Sequence, residues 1–123
     1  MADSEAPWGQ LTRRAEFQRA GRGRRINMSA FTLQVNAREP GSVVDQPRYG
    51  LTVTKKTGNS PARHRIKRRL TEAMRLTSPL DAKPDHDYVL MARREALSIA
   101  FPALVAEIAG ALRRAHTRRD GRP

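Results

Sequence analysis

Three short segments of the chain have the hydrophobic patterns of β-strands. Residues 31–36 and 49–54 alternate apolar and polar side chains, which is typical of strands with one buried face. Residues 88–92 form a continuous apolar run, which predicts a central strand buried on both faces. Because a loop-like sequence at 39–42 separates the first two segments, we predict that these two pair as a hairpin with a long loop.

Three other segments have the spacing of amphipathic helices. The first covers residues 11–20 and ends at Gly21. The second begins at Pro61, after Ser60 as the N-cap residue, and runs to about Leu76. Its predicted apolar stripe consists of Ala62, Ile66, Leu70, Ala73 and Met74. The third begins near residues 101–102, and its predicted buried residues are Leu104, Val105, Ile108 and Leu112.

The predicted order of elements is α-β-β-α-β-α, which is typical of an α+β sandwich with helices packed on a small sheet. A chain of 123 residues is long enough for one modest core. We therefore predict a flexible tail at 1–10, one folded domain at 11–115 and a basic tail at 116–123. Residues 22–25 are interpreted as a basic connector between the first helix and the first strand.

Composition excludes several classes of protein. The chain has no cysteine, so a disulfide scaffold, thiol catalysis and cysteine-bound zinc are excluded. No apolar stretch approaches the roughly 18 to 20 residues that cross a bilayer. The first ten residues carry Asp3 and Glu5 and lack the apolar segment of a signal peptide. We predict a soluble cytoplasmic protein without a membrane partner.

The sequence shows no constellation for catalysis or metal binding. Common nucleotide-binding, zinc-protease and serine-hydrolase motifs do not occur. The histidines, His64, His86 and His116, fall on separate predicted elements without the spacing of metal ligands. Residues 85–87 (Asp-His-Asp) could imitate an acid–base pair, but directly before a strand they are interpreted as a solvated loop. We expect neither catalytic residues nor a metal site in this chain.

Charge is the most informative property of the sequence. The net charge is +12, and arginine outnumbers lysine twenty to four. A GC-rich genome would also raise the arginine content. It would not explain residues 46–71, however, which contain no acid and eight bases: Arg48, Lys55, Lys56, Arg63, Arg65, Lys67, Arg68 and Arg69. Since the planar guanidinium binds phosphate through two hydrogen bonds and stacks on bases, this excess favours a nucleic-acid partner.

The basic residues are concentrated at the start of the second helix. Two lysines, Lys55 and Lys56, end the preceding strand, a Gly-Asn turn follows at 58–59, and residues 63–69 then carry five bases. Adjacent like charges repel, and the first turn of a helix favours acids rather than bases. A bound polyanion would relieve both conflicts, so we predict that this helix binds phosphate.

This block resembles the protein subunit of bacterial ribonuclease P. The family signature is a lysine pair, a Gly-Asn turn and then Arg-Asn-Arg-x-Lys-Arg at the start of a helix; here residues 63–68 read Arg-His-Arg-Ile-Lys-Arg. The resemblance extends over about residues 11–115, through Phe17, Phe31-x-Leu33, Tyr88-Val89-Leu90 and Ala92-Arg93. The sequence departs from the family at His64, usually asparagine, and at Gly21 and Gln34, where aromatic residues are common.

The resemblance implies a division of labour between RNA and protein. The catalytic Mg²⁺ ions would be held mainly by the RNA subunit and the substrate, and the RNA subunit would cleave precursor tRNA. No further protein partner would be required. The implied RNA-subunit-binding residues are Lys55, Lys56, Asn59, Arg63, His64, Arg65, Lys67, Arg68 and Arg69. The implied contacts to the 5′ leader are Phe17, Thr32, Gln34 and Thr52. The family's fold also implies a small mixed sheet with a left-handed βαβ crossover.

Two other classes of protein fit parts of the same sequence. A ribosomal protein can also be a small, basic α+β domain, but it would need no leader cleft. A DNA-binding architectural protein would share the charge, although the basic helix has no helix-turn-helix partner and no apolar wedge. Copurification with one RNA of a few hundred nucleotides would distinguish the three possibilities.

Overall fold

The computed structural model describes residues 8–39, 41, 46–78 and 82–117. Eight elements carry the fold, and we label them in chain order. They are β1 (Gly9–Gln10), α1 (Arg14–Ala20), β2 (Arg24–Asn27), β3 (Phe31–Ala37), β4 (Arg48–Thr52), α2 (Ser60–Leu76), β5 (His86–Ala92) and α3 (Phe101–Ala115). Short 3-10 turns at Lys55–Thr57 and Arg94–Leu97 precede α2 and α3. The α+β class and the three predicted helices are confirmed.

The five strands form one mixed sheet in the order β1-β4-β5-β3-β2. β5 is parallel to β4 and antiparallel to β3, so the apolar run predicted to be central does lie at the centre. β4 and β5 are joined through α2, which makes this part of the chain a βαβ crossover. The short β1 adds a parallel edge beside β4, and β2 forms the other edge.

The predicted hairpin between residues 31–36 and 49–54 is wrong. The strands in these two segments, β3 and β4, each pair with β5, which lies between them. Alternation of apolar and polar residues determines which face a strand buries, but it does not determine its neighbour. Because β5 is strongly apolar, its stable position is the centre of the sheet, where a strand pairs with each of its edges and other elements bury both of its faces. It therefore separates the two amphipathic strands.

The edges of the sheet contain two strands that the sequence pattern did not predict. Residues 8–10 belong to the fold rather than to a tail, since Trp8 is only 4% exposed and β1 pairs with β4. The Trp8 indole packs edge-on against Tyr88 and donates its Nε1 hydrogen to the Thr77 carbonyl at 3.1 Å. The rest of this predicted tail, residues 1–7, lies outside the described residues.

The predicted connector at 22–25 is also corrected, because β2 begins at Arg24. The Arg24 guanidinium donates to the carbonyls of Ala115 and Thr117 at 2.9 Å, which ties the end of α3 to the sheet edge. The predicted basic tail therefore starts later than His116, and residues 118–123 lie outside the described range. Charged strands such as β2 carry little apolar signal, so periodicity alone does not reveal them.

The sheet separates two apolar clusters. On one face α2 and α3 pack against alternating strand residues, including Phe31, Leu33 and Leu90, all of which are at most 2% exposed. The predicted α2 stripe is confirmed at its four buried positions, Ile66, Leu70, Ala73 and Met74. On the other face α1 covers a smaller cluster of Leu11, Ala20 and Val89, with Phe17 and Met91 packed against it. Across the described part of the chain, no helix has both the length and the apolar character needed to span a bilayer.

Candidate nucleic-acid interface

The basic side chains of α2 lie on the surface because its apolar stripe is in the core. Ile66 and Leu70 are both 0% exposed, which turns the other sides of the helix toward solvent. His64, Arg65, Lys67 and Arg68 are all exposed. Among the described residues, no ion pair involves Arg65, Lys67 or Arg68. Their positive charge is therefore available to a ligand.

The turn before α2 adds two more exposed bases. Lys55 and Lys56 lie in a 3-10 turn rather than at the end of β4, and both are exposed. Gly58 has a φ of +149°, a backbone conformation that residues other than glycine rarely adopt. The helix cap is Asn59 rather than the predicted Ser60, since the Asn59 Oδ1 atom accepts from the Ala62 amide at 2.9 Å. The Gly-Asn pair thus bends the chain and starts the helix.

Two of the implied RNA-binding arginines are engaged within the protein. The Arg63 Nη1 atom donates to the Gly58 carbonyl at 3.1 Å and so closes the turn onto the helix. The Arg69 guanidinium donates to the Ile99 carbonyl, which links α2 to the segment before α3. Both side chains are half-buried. Helical spacing is consistent with this difference, since Arg63 and Arg69 each lie three residues from the buried Ile66, whereas Arg65 and Arg68 fall on other sides of the helix.

The four implied leader contacts lie on the opposite face of the sheet, beside α1. The strand register places Thr52 and Thr32 on either side of Met91, and Gly50 and Gln34 on either side of Val89. The Phe17 ring lies directly over Gly50, because a Cβ atom added there would stand 2.6 Å from two ring carbons. Phe17 and Thr52 are half-buried, whereas Thr32 and Gln34 are only 8% and 7% exposed.

The same face contains polar residues that the sequence analysis did not assign to a site. The register places Asn27 next to Thr32 and the exposed Arg25 next to Gln34. The Thr32 hydroxyl donates to Asn27 Oδ1 at 3.0 Å, and the exposed Arg93 donates to Thr32 Oγ1 at 3.2 Å. Arg25 and Arg93 therefore give this face two bases beyond the implied leader residues. Assigning β2 as a strand would have revealed Arg25.

A buried ion-pair network holds α1 against the sheet. Asp87 is bound by Arg38 at 2.7 Å and by two nitrogens of Arg48 at 2.9 Å, and the Arg38 and Asp87 side chains are 3% and 4% exposed. Arg48 also reaches Glu16 Oε2 at 3.2 Å. The other Glu16 oxygen accepts from the amides at the start of α1, chiefly that of Arg13, and these bonds lower the Glu16 pKa. The interpretation of residues 85–87 as a solvated loop is thus wrong at its last two residues, which lie in β5.

The fold also brings together two histidines that the sequence placed on separate elements. The rings of His86 and His116 are 5.1 Å apart, and the Tyr88 hydroxyl lies 2.7 Å from His116 Nε2. Burial lowers the pKa of His116 to about 4, with the nearby charges of His86, Lys83 and Arg24 acting in the same direction. Burial also raises the pKa of Tyr88 to about 12, so the neutral phenol can donate to the neutral imidazole. This cluster joins the end of α3 to the sheet.

These surfaces define a nucleic-acid-binding protein of the α+β class. Exposed bases without an ion pair among the described residues occupy one helix, and a second, polar and basic surface lies across the sheet. The described residues hold no group of three or more side chains arranged to bind a metal ion. The exposed charge points to phosphate binding.

Comparison with known proteins identifies the family. The family model described as Ribonuclease P matches residues 9–116. The ribonuclease P protein component of Brucella suis is 38% identical over 117 residues, which cover 91% of this chain and 83% of the relative. That of Ruegeria pomeroyi is 39% identical over 107 residues, which cover 86% of this chain and 85% of the relative. The chain belongs to the ribonuclease P protein family.

Solved structures share the fold. The ribonuclease P protein of Staphylococcus aureus superimposes with a TM-score of 0.69 at 23% identity, covering 87% of this chain and 94% of the other. The protein from Thermotoga maritima superimposes with a TM-score of 0.68 at 20% identity, covering 85% and 96%. The family assignment disfavours the ribosomal and DNA-architectural alternatives.

Proposed function

We propose that this chain binds the RNA subunit of ribonuclease P through the exposed bases of α2 and assists that RNA in removing the 5′ leader of precursor tRNA. Ribonuclease P is a ribonucleoprotein endoribonuclease in which the RNA subunit carries catalysis. The observation that carries the proposal is a set of exposed bases on a helix anchored by its opposite face: Arg65, Lys67 and Arg68, none of which has an ion pair among the described residues. The cytoplasmic location stays a prediction from the sequence.

The proposed RNA-subunit site combines direct contacts with residues that shape the helix start. Arg65, Lys67, Arg68, Lys55 and Lys56 would neutralise phosphates of the folded RNA, and arginine can bind one phosphate through two hydrogen bonds. His64 is exposed on the same helix and would add a polar contact. A separate role follows from the internal hydrogen bonds of three other residues. Asn59, Arg63 and Arg69 would position the site more than bind RNA.

The proposed leader site lies across the α1 face of the sheet. A single-stranded leader would contact Phe17 and Thr52, which are half-buried, and its phosphates would meet Arg93 and Arg25 at the β2 side. Because Thr32 and Gln34 are less than a tenth exposed, they would act mainly by holding neighbouring groups in place. Only one aromatic ring is offered, so discrimination between precursor and mature tRNA should be modest.

The two acids beside the α1 face of the sheet, Glu16 and Asp87, do not fit a Mg²⁺ site. In the described part of the chain, Asp87 is bound by two arginines and Glu16 by backbone amides and Arg48. Mg²⁺ requires several free oxygen ligands in near-octahedral geometry, and these two acids are already engaged. We therefore assign the catalytic metal to the RNA subunit and the substrate, and no step of the reaction to an ion held by this chain.

Reconstitution tests the proposal. RNA-free protein should leave precursor tRNA intact in Mg²⁺ buffer, whereas the same protein added to its RNA subunit at low salt should stimulate cleavage of the leader. The double variant Arg65→Ala, Arg68→Ala tests the role of the basic helix. It should fold normally but stimulate cleavage much less than the wild-type protein at moderate salt. Cleavage by the RNA-free protein, or equal stimulation by the double variant, would overturn the assignment.

A further inference from the structure

A groove runs along the basic side of α2 and ends against an aromatic ring of α3. Its lining includes Pro61, His64, Arg65 and Arg68 from successive turns of α2. Phe101, the first residue of α3, forms the other wall. Phe101 is half-buried and packs partly against the main core. One part of the ring is therefore fixed by the protein while another part faces a groove lined by bases.

Arg69 of α2 ties down the segment that leads into Phe101. Its guanidinium donates to the carbonyl of Ile99, two residues before Phe101. The Leu104 amide then donates to the Ala100 carbonyl at 3.0 Å, so that the helix is formed from its first turn. Phe101 is thus held beside α2 by a hydrogen bond from the basic helix itself. The groove is a built feature, and it gives Arg69 a role other than binding phosphate.

We propose that this groove binds an unpaired nucleobase of the ribonuclease P RNA, which stacks on Phe101 while Arg65 and Arg68 hold the adjoining phosphates. This inference rests on the proposed function and names a subsite within it. Every nucleobase has a face that can stack on an aromatic ring, and neighbouring cations can neutralise its flanking phosphates. A purely double-helical RNA would present backbone, 2′-hydroxyls and base edges but no free base face, and would leave the Phe101 ring without a stacking partner.

The one acid among the lining residues does not oppose this arrangement. Glu72 lines the groove, but it forms an ion pair with Arg75 one turn along the helix. The hydrogen bond from Arg75 keeps the pKa of Glu72 below its usual value, so the carboxylate stays charged and paired. Four of the other lining residues, Arg65, Lys67, Arg68 and Arg69, are basic. The groove therefore attracts a polyanion along most of its length.

Binding of the RNA subunit by Phe101 variants tests the subsite. Phe101→Leu keeps an apolar side chain in the core but removes the stacking surface, and we expect RNA affinity to fall about 5- to 20-fold at fixed salt. Phe101→Tyr should bind like the wild type, because it keeps the ring. Leu76→Ala is the matched control: Leu76 is an exposed apolar residue of α2, 55% exposed and outside the groove, and its loss should leave affinity unchanged.

The salt dependence separates stacking from displacement of the helix. Phe101→Leu removes no charge, so the slope of log affinity against log salt should equal that of the wild type. A second readout uses Phe101→Trp, which adds a fluorophore to a chain whose one tryptophan, Trp8, is buried. The added emission should be quenched when the RNA subunit binds.

The possible results are distinct. Wild-type affinity for Phe101→Leu, unquenched emission from Phe101→Trp, or a changed salt slope for Phe101→Leu would each overturn the stacking subsite while leaving the proposed function intact. Failure of the wild-type protein itself to bind the RNA subunit would overturn the proposed function and the subsite together. Thermal melts of all variants ensure that only folded proteins are compared.

Discussion

The contrast between exposed and internally bonded arginines on α2 gives the sharpest test of the proposed interface. Arg68→Ala removes an exposed base that has no ion pair among the described residues, and its side of the helix lies away from the buried stripe. Surface substitutions of this kind change the free energy of unfolding by about 0.5 kcal/mol or less. We therefore expect a loss of RNA binding without a loss of stability.

The size of that loss follows from counterion release. Each phosphate contact contributes about 0.7 to 0.9 to the slope of log affinity against log salt. Removing one contact should lower the slope by that amount, which corresponds to about 5- to 8-fold weaker binding at 0.1 M salt. The effect should shrink as the salt concentration increases, because each counterion released into a more concentrated solution gains less entropy.

Arg69→Ala and Leu70→Ala should behave differently. Arg69 donates to the Ile99 carbonyl and is half-buried, so its loss should lower the free energy of unfolding by about 1 to 2 kcal/mol and change the salt slope less than Arg68→Ala does. Leu70 is 0% exposed, and its truncation should cost about 2 to 5 kcal/mol with no direct change in slope.

The assay combines filter binding of the RNA subunit at four or more salt concentrations with urea denaturation of each variant. A normal salt slope for Arg68→Ala would show that this side chain does not contact phosphate. Unfolding of Arg68→Ala, or a full unit of lost slope for Arg69→Ala at unchanged stability, would reverse the roles inferred from the structure.

Three further outcomes are expected. Phe17→Leu should weaken binding of precursor tRNA by the assembled enzyme about fivefold, since one stacked base contributes about 1 to 3 kcal/mol. Binding of mature tRNA should be unchanged. Equal losses of affinity for both ligands would show that Phe17 is a core residue only. Because the pKa of His116 falls to about 4 in the folded state from 6.5, the unfolded chain binds the extra proton as pH drops between these values. The stability contributed by neutral His116 is complete above pH 6.5. As the pH falls toward 4, the free energy of unfolding should decrease by about 1 to 2 kcal/mol, after allowance for solvent screening. Urea titrations that show the same pH dependence for the wild type and His116→Gln would contradict this. Asp87→Asn should cost about 3 to 5 kcal/mol in urea denaturation, because it leaves the buried Arg38 and the half-buried Arg48 without their shared carboxylate. A loss below about 1 kcal/mol would show that the network adds little.

Local features of this protein could be predicted from its sequence. The spacing of Ile66, Leu70, Ala73 and Met74 predicted both the α2 helix and its buried side, and the apolar run in β5 predicted a central strand. The basic block at the start of α2 also predicted a polyanion-binding surface, and that assignment stays a prediction. Such features depend on residues close together in the chain, so periodicity and charge reveal them directly.

Relations between distant residues were decided only by the tertiary structure. No local pattern showed that Arg69 would bond to the carbonyl of Ile99, 30 residues further along the chain. Nor did any pattern predict that Asp87 would be buried between two arginines, which are 49 and 39 residues away in the chain. The insertion of β5 between β3 and β4 is of the same kind. Strand neighbours and long-range ion pairs depend on how loops close and how faces pack together, and alternation along one strand carries no information about either.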